Sequence, residues 1–154
     1  MSYSMHIIRP VDAPTLGADA FRVNISGMES ICDVMRDLGM TCRTPGPTAA
    51  EFAAAPWGDD SAEGVARRTR VLSEHYGECP GIPSHKFTSN DGWVVLPAEI
   101  RPALEQYREA GGVVPERWDA VLAGSLAGTG GGSLWLDWVE FLVRAADSGG
   151  FTVY

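Results

Sequence analysis

The chain has 154 residues, of which 45% are hydrophobic and 21% are charged, and its formal net charge is -8 at pH 7. This length can bury one core without a metal or a disulfide, and no apolar run approaches the roughly 20 residues that cross a bilayer. The negative charge disfavours nucleic acid and anionic membranes as partners, because binding to phosphates depends mainly on Lys and Arg. We therefore expect one soluble globular domain over residues 1–154.

The N-terminus and the cysteines predict a cytoplasmic protein. The first residues, MSYSMHIIRPVD, do not combine a basic segment with a long apolar stretch, so they do not resemble an export signal. The cysteines, Cys32, Cys42 and Cys79, are too few and too scattered for a disulfide framework. Their odd number is typical of reduced thiols in a reducing compartment.

The N-terminal quarter predicts two strands and a helix. Residues 3–9 and 21–25 are rich in β-branched and aromatic side chains, as short strands are. Ser26 and Glu29 have the spacing of a capping box, which predicts a helix from Ser26 that ends at Gly39. Its hydrophobic stripe is formed by Met28, Ile31, Cys32, Met35 and Leu38. Cys32 on this stripe is expected to be a buried, inert thiol.

Residues 44–60 are rich in Pro, Ala and Gly and predict a flexible surface loop with room for one short helix. Thr48 and Glu51 begin that helix, and Pro56 ends it. A longer helix is predicted over residues 60–76. Its three arginines lie close to acidic residues in the sequence, so we expect a solvated face with ion pairs and not an anion site.

Two further helices are predicted before residue 124. Pro97 suits the first position of a helix that ends at the glycines 111–112. Pro102 either kinks this helix or is its true first residue, because it has no N–H to donate. A short helix over residues 115–123 follows, with Trp118 on its inner face.

The C-terminal region predicts a core helix and a strand. Residues 124–133, GSLAGTGGGS, are glycine-rich, but they lack the Lys-Ser/Thr ending of a phosphate loop and follow a helix, so a flexible connection is expected. Residues 134–147 carry a wide apolar stripe, and residues 151–154 predict a strand that pairs with the N-terminal strands. The expected fold is a mostly helical α+β domain with about five to six helices and a small, mainly antiparallel sheet.

One stretch concentrates rare residue types. Residues 81–93, GIPSHKFTSNDGW, contain the only lysine of the chain, Lys86, next to His85, although the other 11 basic residues are arginine. Because the codon bias of a GC-rich genome accounts for that preference for arginine, a persisting lysine marks a candidate contact with a ligand or partner. The candidate binding residues are His85, Lys86, Asn90, Asp91 and Trp93.

The same stretch predicts a tight turn. The sequence Asn-Asp-Gly at 90–92 favours a hairpin between strands at 87–88 and 93–95, since these residue types tolerate positive φ angles. The charge of Lys86 is expected to lower the pKa of His85, so that a neutral imidazole is available at pH 7 as a base or ligand. A satisfied internal histidine under the hairpin is the competing interpretation.

The sequence carries no pattern that predicts catalysis or metal binding. His75, Cys79 and His85 are spaced by four and six residues, and Glu78 or Asp91 could be a fourth ligand, but structural zinc sites have a close Cys pair that is missing here. No nucleophile elbow, P-loop, dinucleotide fingerprint or metalloprotease helix is present. We therefore predict no catalytic residue, no metal and no cofactor.

The stretch GIPSHKFTSNDGW and the ending SGGFTVY resemble small hypothetical proteins of GC-rich bacteria, over about residues 80–154. The resemblance implies a shared module and assigns no activity. Two functions stay open. The first is a small acidic binding or regulatory module that contacts a basic protein in the manner of an immunity protein. The alternative is a small enzyme or ligand-binding protein with a pocket around His85, Lys86 and Asp91.

Overall fold

Two sheets and five α-helices make up the part of the chain that the computed structural model describes, namely residues 2–9, 19–44, 46–73, 79–119, 122 and 134–154. The strands are β1 (Ser2–Ile7), β2 (Ala20–Asn24), β3 (Thr41–Cys42), β4 (Ile82–Pro83), β5 (Trp93–Val95) and β6 (Phe151–Val153). The helices are α1 (Ile25–Asp37), α2 (Ala49–Ala54), α3 (Ala62–Ser73), α4 (Pro97–Glu109) and α5 (Leu134–Ala146). Two 3-10 turns cover Ser84–Phe87 and Glu116–Trp118. The predicted α+β single domain is confirmed.

The larger sheet brings both ends of the chain together. Its four strands follow the order β2-β1-β6-β5, and every neighbouring pair is antiparallel. Met5 of β1 lies opposite Phe21 of β2 and Val153 of β6. The prediction that the C-terminal strand pairs with the N-terminal strands is therefore confirmed.

Aromatic side chains of α5 form the centre of the core. Trp138 and Phe141 are fully buried and lie against the rings of Phe21 and Phe151. Trp138 also donates from Nε1 to Sδ of Met35 at 3.2 Å, which connects α5 to α1. The predicted stripe of α5 is buried because it faces both the sheet and α1.

Helix α1 begins earlier than the sequence predicts. Asn24 is its N-cap, since the Asn24 side chain accepts from the Gly27 N–H at 2.7 Å. The predicted capping box of Ser26 and Glu29 is therefore wrong. Asn24 is the better cap because it stands where the strand β2 ends and its side chain reaches the free N–H groups of the first turn. The predicted stop is confirmed, with Gly39 at φ +71°.

The predicted cap is found in the first of the two following helices and is shifted in the second. Thr48 and Glu51 form the predicted capping box of α2. Helix α3 begins at Ala62 and not at residue 60, because the Ser61 hydroxyl accepts from the Gly64 N–H at 3.1 Å. The predicted end of this helix lies outside the described residues.

The remaining helices depart less from prediction. Helix α4 begins at Pro97 and contains Pro102 in its interior. The helix predicted over 115–123 begins as a 3-10 turn, while residues 120, 121 and 123 lie outside the described part. The predicted connection at 124–133 also lies outside it. No described helix is long and apolar enough to cross a membrane.

A disulfide corrects the prediction of three reduced thiols. Cys42 and Cys79 are bonded to each other, with Cα atoms 5.8 Å apart, and Cys32 is a free thiol. The bond forms where β3 and β4 pair in parallel, with Cys42 opposite Pro83. The sequence does not reveal this contact, because the two cysteines are 37 positions apart. The thiols therefore no longer support the predicted cytoplasmic location.

Candidate functional site

The predicted hairpin at residues 87–95 does not form. Ser84–Phe87 is a 3-10 turn, and β5 pairs with β6 instead of with residues 87–88. Phe87 is buried against Trp138, so its side chain belongs to the core and not to an edge strand. Of the turn sequence, Gly92 alone has a positive φ, +82°, and its N–H donates to the Val153 carbonyl at 2.8 Å.

Lys86 lies inside the protein as half of a buried ion pair. Its side chain and that of Glu99 are both fully buried, and Nζ lies 2.7 and 2.8 Å from the two carboxylate oxygens of Glu99. Nζ also donates to the carbonyls of Val94 at 2.7 Å and Ser73 at 3.3 Å. Burial lowers the pKa of Lys86, and the charge of Glu99 opposes this shift. The ammonium group of Lys86 is therefore bonded to Glu99 and to two main-chain carbonyls inside the protein.

Glu99 connects this ion pair to the start of α4. Its Oε2 accepts from the backbone N–H of Leu96 at 2.8 Å, which is the reciprocal half of a capping contact. A helix N-terminus stabilises a carboxylate, so the helix and Lys86 act on the same group. The ion pair thus links the 3-10 turn at 84–87, strand β5 and helix α4.

His85 is partly buried and its two ring nitrogens are shielded from solvent. Neither Nδ1 nor Nε2 makes a well-aligned hydrogen bond within the described residues. The ring packs edge-on against Trp93, with ring centres 5.1 Å apart. Burial, followed by the charge of Lys86, lowers the pKa of His85, while Glu99 and a backbone contact with Thr44 oppose that shift. The imidazole is therefore neutral at pH 7 but out of reach of a ligand in this structure.

The exposed part of the stretch is small. Asn90 and Asp91 are exposed, whereas Trp93 is 6% exposed and donates from Nε1 to the Ser89 hydroxyl at 2.9 Å. Asn90 donates to the Ser2 carbonyl at 3.2 Å, and Asp91 accepts from the hydroxyl of Ser89. Of the five predicted residues, Asn90 and Asp91 are thus exposed, His85 is partly buried, and Lys86 and Trp93 are buried. Their role in binding stays a prediction.

A groove lies beside α1, next to the predicted site. It encloses about 450 Å³ between α1 and the segment 84–88. Its floor includes the side chains of Met28, Cys32 and Phe87. The charged residues of its lining, Glu29, Asp33 and Arg36, all belong to α1, where spacings of three and four place side chains on one face. We call this feature the α1 groove.

The charges of the α1 groove do not cancel. Arg36 forms an ion pair with Asp33, which leaves the carboxylate of Glu29 without an ion pair or hydrogen bond in the described part of the chain. The groove therefore has one net negative charge beside an apolar floor. Such a lining suits an aliphatic chain that ends in a cation.

The thiol in the floor is not a nucleophile at neutral pH. The pKa of Cys32 is raised to about 12, mainly by burial; the charge of Arg36 opposes this shift and the charge of Glu29 adds to it. Tyr3, which also lines the groove, donates from its hydroxyl to the Phe87 carbonyl at 3.1 Å. The described lining thus presents apolar groups, the Arg36–Asp33 ion pair and the carboxylate of Glu29, which can bind a ligand but offer no activated nucleophile.

Sequence reasoning missed this groove for an identifiable reason. Glu29 was assigned to a capping box and Cys32 to the core, yet Asn24 caps the helix and Cys32 is only partly buried. The available signal was the position of Cys32 and Glu29 at the polar edge of the α1 stripe. The depth of the groove depends on where the segment 84–88 packs, and no local pattern reveals that.

Comparisons with known proteins add no relative: no family model, curated protein or solved structure matches this chain.

Proposed function

We propose that this protein is a binding module whose α1 groove receives a lysine or arginine side chain of a basic protein partner. The observation that carries the proposal is the carboxylate of Glu29, which has no described partner and stands beside an apolar floor. The aliphatic part of the incoming side chain would lie on Met28 and Cys32, and its charged end would bind Glu29.

The charge of the whole chain supports the same kind of partner. A net charge of -8 attracts a basic protein over distances near the Debye length, about 8–10 Å, and raises the association rate. The groove then supplies local selection, because a short charge-assisted bond requires a matching side chain.

The alternative of an enzyme with a pocket around His85 has less support. The ring nitrogens of His85 are shielded from solvent, and Lys86 is fully buried in its ion pair with Glu99. Catalysis would require a proton donor or acceptor within hydrogen-bonding reach of a substrate. The free thiol, Cys32, is protonated at neutral pH.

The proposal can be tested with a defined peptide. The probe is a short capped peptide with one lysine between alanine and leucine residues, and the reference is the same peptide with norleucine in place of lysine. Two-dimensional NMR titration of the labelled protein gives the affinity and the residues that respond. We expect the lysine peptide to shift amides of α1 and of residues 84–88, and the norleucine peptide to bind at least tenfold more weakly.

A matched pair of variants separates the groove from general attraction. Glu29→Gln removes the proposed contact, while Glu63→Gln removes the same charge from the exposed face of α3. We expect Glu29→Gln to lower the affinity for the lysine peptide about tenfold and Glu63→Gln to change that affinity less than twofold. Equal losses for both variants would show that only net charge matters, and the α1 groove would then not be the site.

A further inference from the structure

The disulfide closes a segment of the chain that is poorly anchored by its own side chains. We define the cover segment as residues 46–73, which contain α2 and α3 and lie between Cys42 and Cys79. Helix α2 has no buried residue, and across the cover segment the buried residues are Ala55, Gly64 and Leu72. Within residues 46–57 only Ala55 is buried, so this first part of the segment separates from the core at low cost.

The first part of the cover segment lies on His85 and Trp93. Gly46 is so close that an added Cβ would lie 3.1 Å from Cγ of His85. The ring of Phe52 lies 5.6 Å from that of Trp93, centre to centre. These contacts shield the two residues at the centre of the sequence-predicted site.

The state of His85 under this segment is unfavourable. Both ring nitrogens are shielded from solvent without a well-aligned hydrogen bond in the described residues. A polar group in that condition loses its bonds to water and gains none in return. Separation of residues 46–57 from the core would allow the His85 imidazole to form hydrogen bonds with water again. The neighbouring residues Thr88, Asn90 and Asp91 are already exposed.

We propose that the Cys42–Cys79 disulfide is a redox switch that keeps the site around His85 covered, and that its reduction uncovers His85 and Trp93. Both cysteines are only partly buried, so a reductant can approach them. The reductant is a dithiol, of the chemical class represented by dithiothreitol. The inference concerns the His85 site and is independent of the proposed role of Glu29.

The reduction is a two-electron thiol–disulfide exchange. A thiolate of the dithiol attacks one of the two sulfurs, which breaks the Cys42–Cys79 bond and releases the other cysteine as a thiolate. The second thiol of the reductant then displaces the first cysteine from the mixed disulfide. Two protons and two electrons pass to the cysteines, and the reductant leaves as its own cyclic disulfide.

Hydrogen exchange and chemical modification test this switch directly. The oxidised protein, the protein reduced by dithiothreitol and the variant Cys42→Ser/Cys79→Ser are compared by hydrogen–deuterium exchange and by diethylpyrocarbonate labelling of histidines with mass spectrometry. We expect loss of the disulfide to increase exchange in residues 46–57 at least tenfold and to accelerate labelling of His85 by a similar factor. Labelling of the exposed His6 and exchange in α5 should stay unchanged, because they lie outside the cover segment.

Each other result overturns the proposal. Unchanged exchange and unchanged His85 labelling would show that side-chain contacts alone hold the segment in place. Faster exchange in α5 as well would show that the bond holds the whole fold and is not a local switch. Free Cys42 and Cys79 in protein purified without reductant would remove its basis, and Cys32→Ser serves as the control that leaves the disulfide intact.

Discussion

The ion pair between Lys86 and Glu99 allows the sharpest test of the structure. Both side chains are fully buried, and Lys86 additionally donates to the carbonyls of Val94 and Ser73. Replacing Lys86 by Met keeps the aliphatic stem but leaves the carboxylate of Glu99 buried without this cation. Replacing Glu99 by Gln leaves the ammonium uncompensated, yet the amide oxygen can still accept from the Leu96 N–H.

The expected cost follows from the burial. Removing one partner of a buried ion pair costs about 3–5 kcal/mol, because the remaining charge loses both water and its counter-charge. For a domain of about 150 residues, each kcal/mol lowers Tm by about 2–4 °C, so each single variant should melt on the order of 10 °C lower. The double variant Lys86→Met/Glu99→Gln leaves no buried charge from the pair. Its cost should therefore be smaller than the sum of the single costs by about 2 kcal/mol.

Helix α4 supplies a matched control for this cycle. Glu105 pairs with Arg108 at 3.3 Å, and both side chains are more than half exposed, at 60% and 66%. Glu105→Gln should change the unfolding free energy by less than about 1 kcal/mol, because exposed ion pairs contribute little. Urea denaturation at pH 7 measures all four variants. Two results would refute the buried ion pair. In the first, the loss of unfolding free energy in the double variant equals the sum of the losses in Lys86→Met and Glu99→Gln. In the second, Glu99→Gln loses no more unfolding free energy than Glu105→Gln.

The pH dependence of the Glu99→Gln variant checks the same reasoning. Burial lowers the folded-state pKa of Lys86 below its ordinary value of 10.5, and loss of the Glu99 charge should lower it further. Between the folded-state pKa and 10.5, the unfolded chain binds more protons than the folded one. Stability of this variant should therefore rise with pH in that window, with a steeper slope than in the wild type.

Two more outcomes are expected. Met35→Asp should lower the unfolding free energy by several kcal/mol, because Met35 is fully buried and accepts from Trp138. The control Val113→Asp, at a position that is 64% exposed, should change Tm little. Equal effects of the two substitutions would contradict the packing of α1. In the oxidised protein, stability should fall as pH drops below 6.5 toward the folded-state pKa of His85, since burial lowers that pKa and only the unfolded chain then gains the proton. His85→Phe should reduce this slope, and an unchanged slope in that variant would show that His85 does not titrate differently on folding.

Local signals in the sequence predicted most of the fold. The capping box at Thr48, the proline at 97 and the glycine at 39 act within one helical turn, and each lies where predicted. The apolar stripe of α5 has the period of one buried helix face. The wrong N-cap predicted for α1 has the same local origin. Asn24 and Ser26 lie two positions apart, both can cap the first turn, and the sequence alone does not rank them.

Long-range contacts were less predictable. The pairing of β5 with β6 joins residues more than 50 positions apart, and the disulfide joins cysteines separated by 37. The turn sequence at 90–92 favours a hairpin locally, but burial of Phe87 against Trp138 decides against it. The candidate site was the least predictable part. Whether Lys86 is exposed or buried depends on how α4 packs, and its partner Glu99 lies 13 positions away in the sequence.

The persistence of one lysine in an arginine-rich chain now has a geometric explanation. An ammonium group directs three N–H donors outward from one point, and in Lys86 it faces the Glu99 carboxylate and the carbonyls of Val94 and Ser73. A guanidinium is planar and larger, so it cannot direct its donors toward acceptors on several sides of one buried point.

The other rare polar residues follow the same rule. Asn24 and Asn90, the only asparagines of the chain, bond to the backbone N–H of Gly27 and the backbone carbonyl of Ser2. At Asn90 the amide N–H donates to a carbonyl that a carboxylate would repel, whereas at Asn24 the amide oxygen accepts from an N–H. The rare residue types therefore bond to main-chain groups that the secondary structure of the fold leaves without a partner.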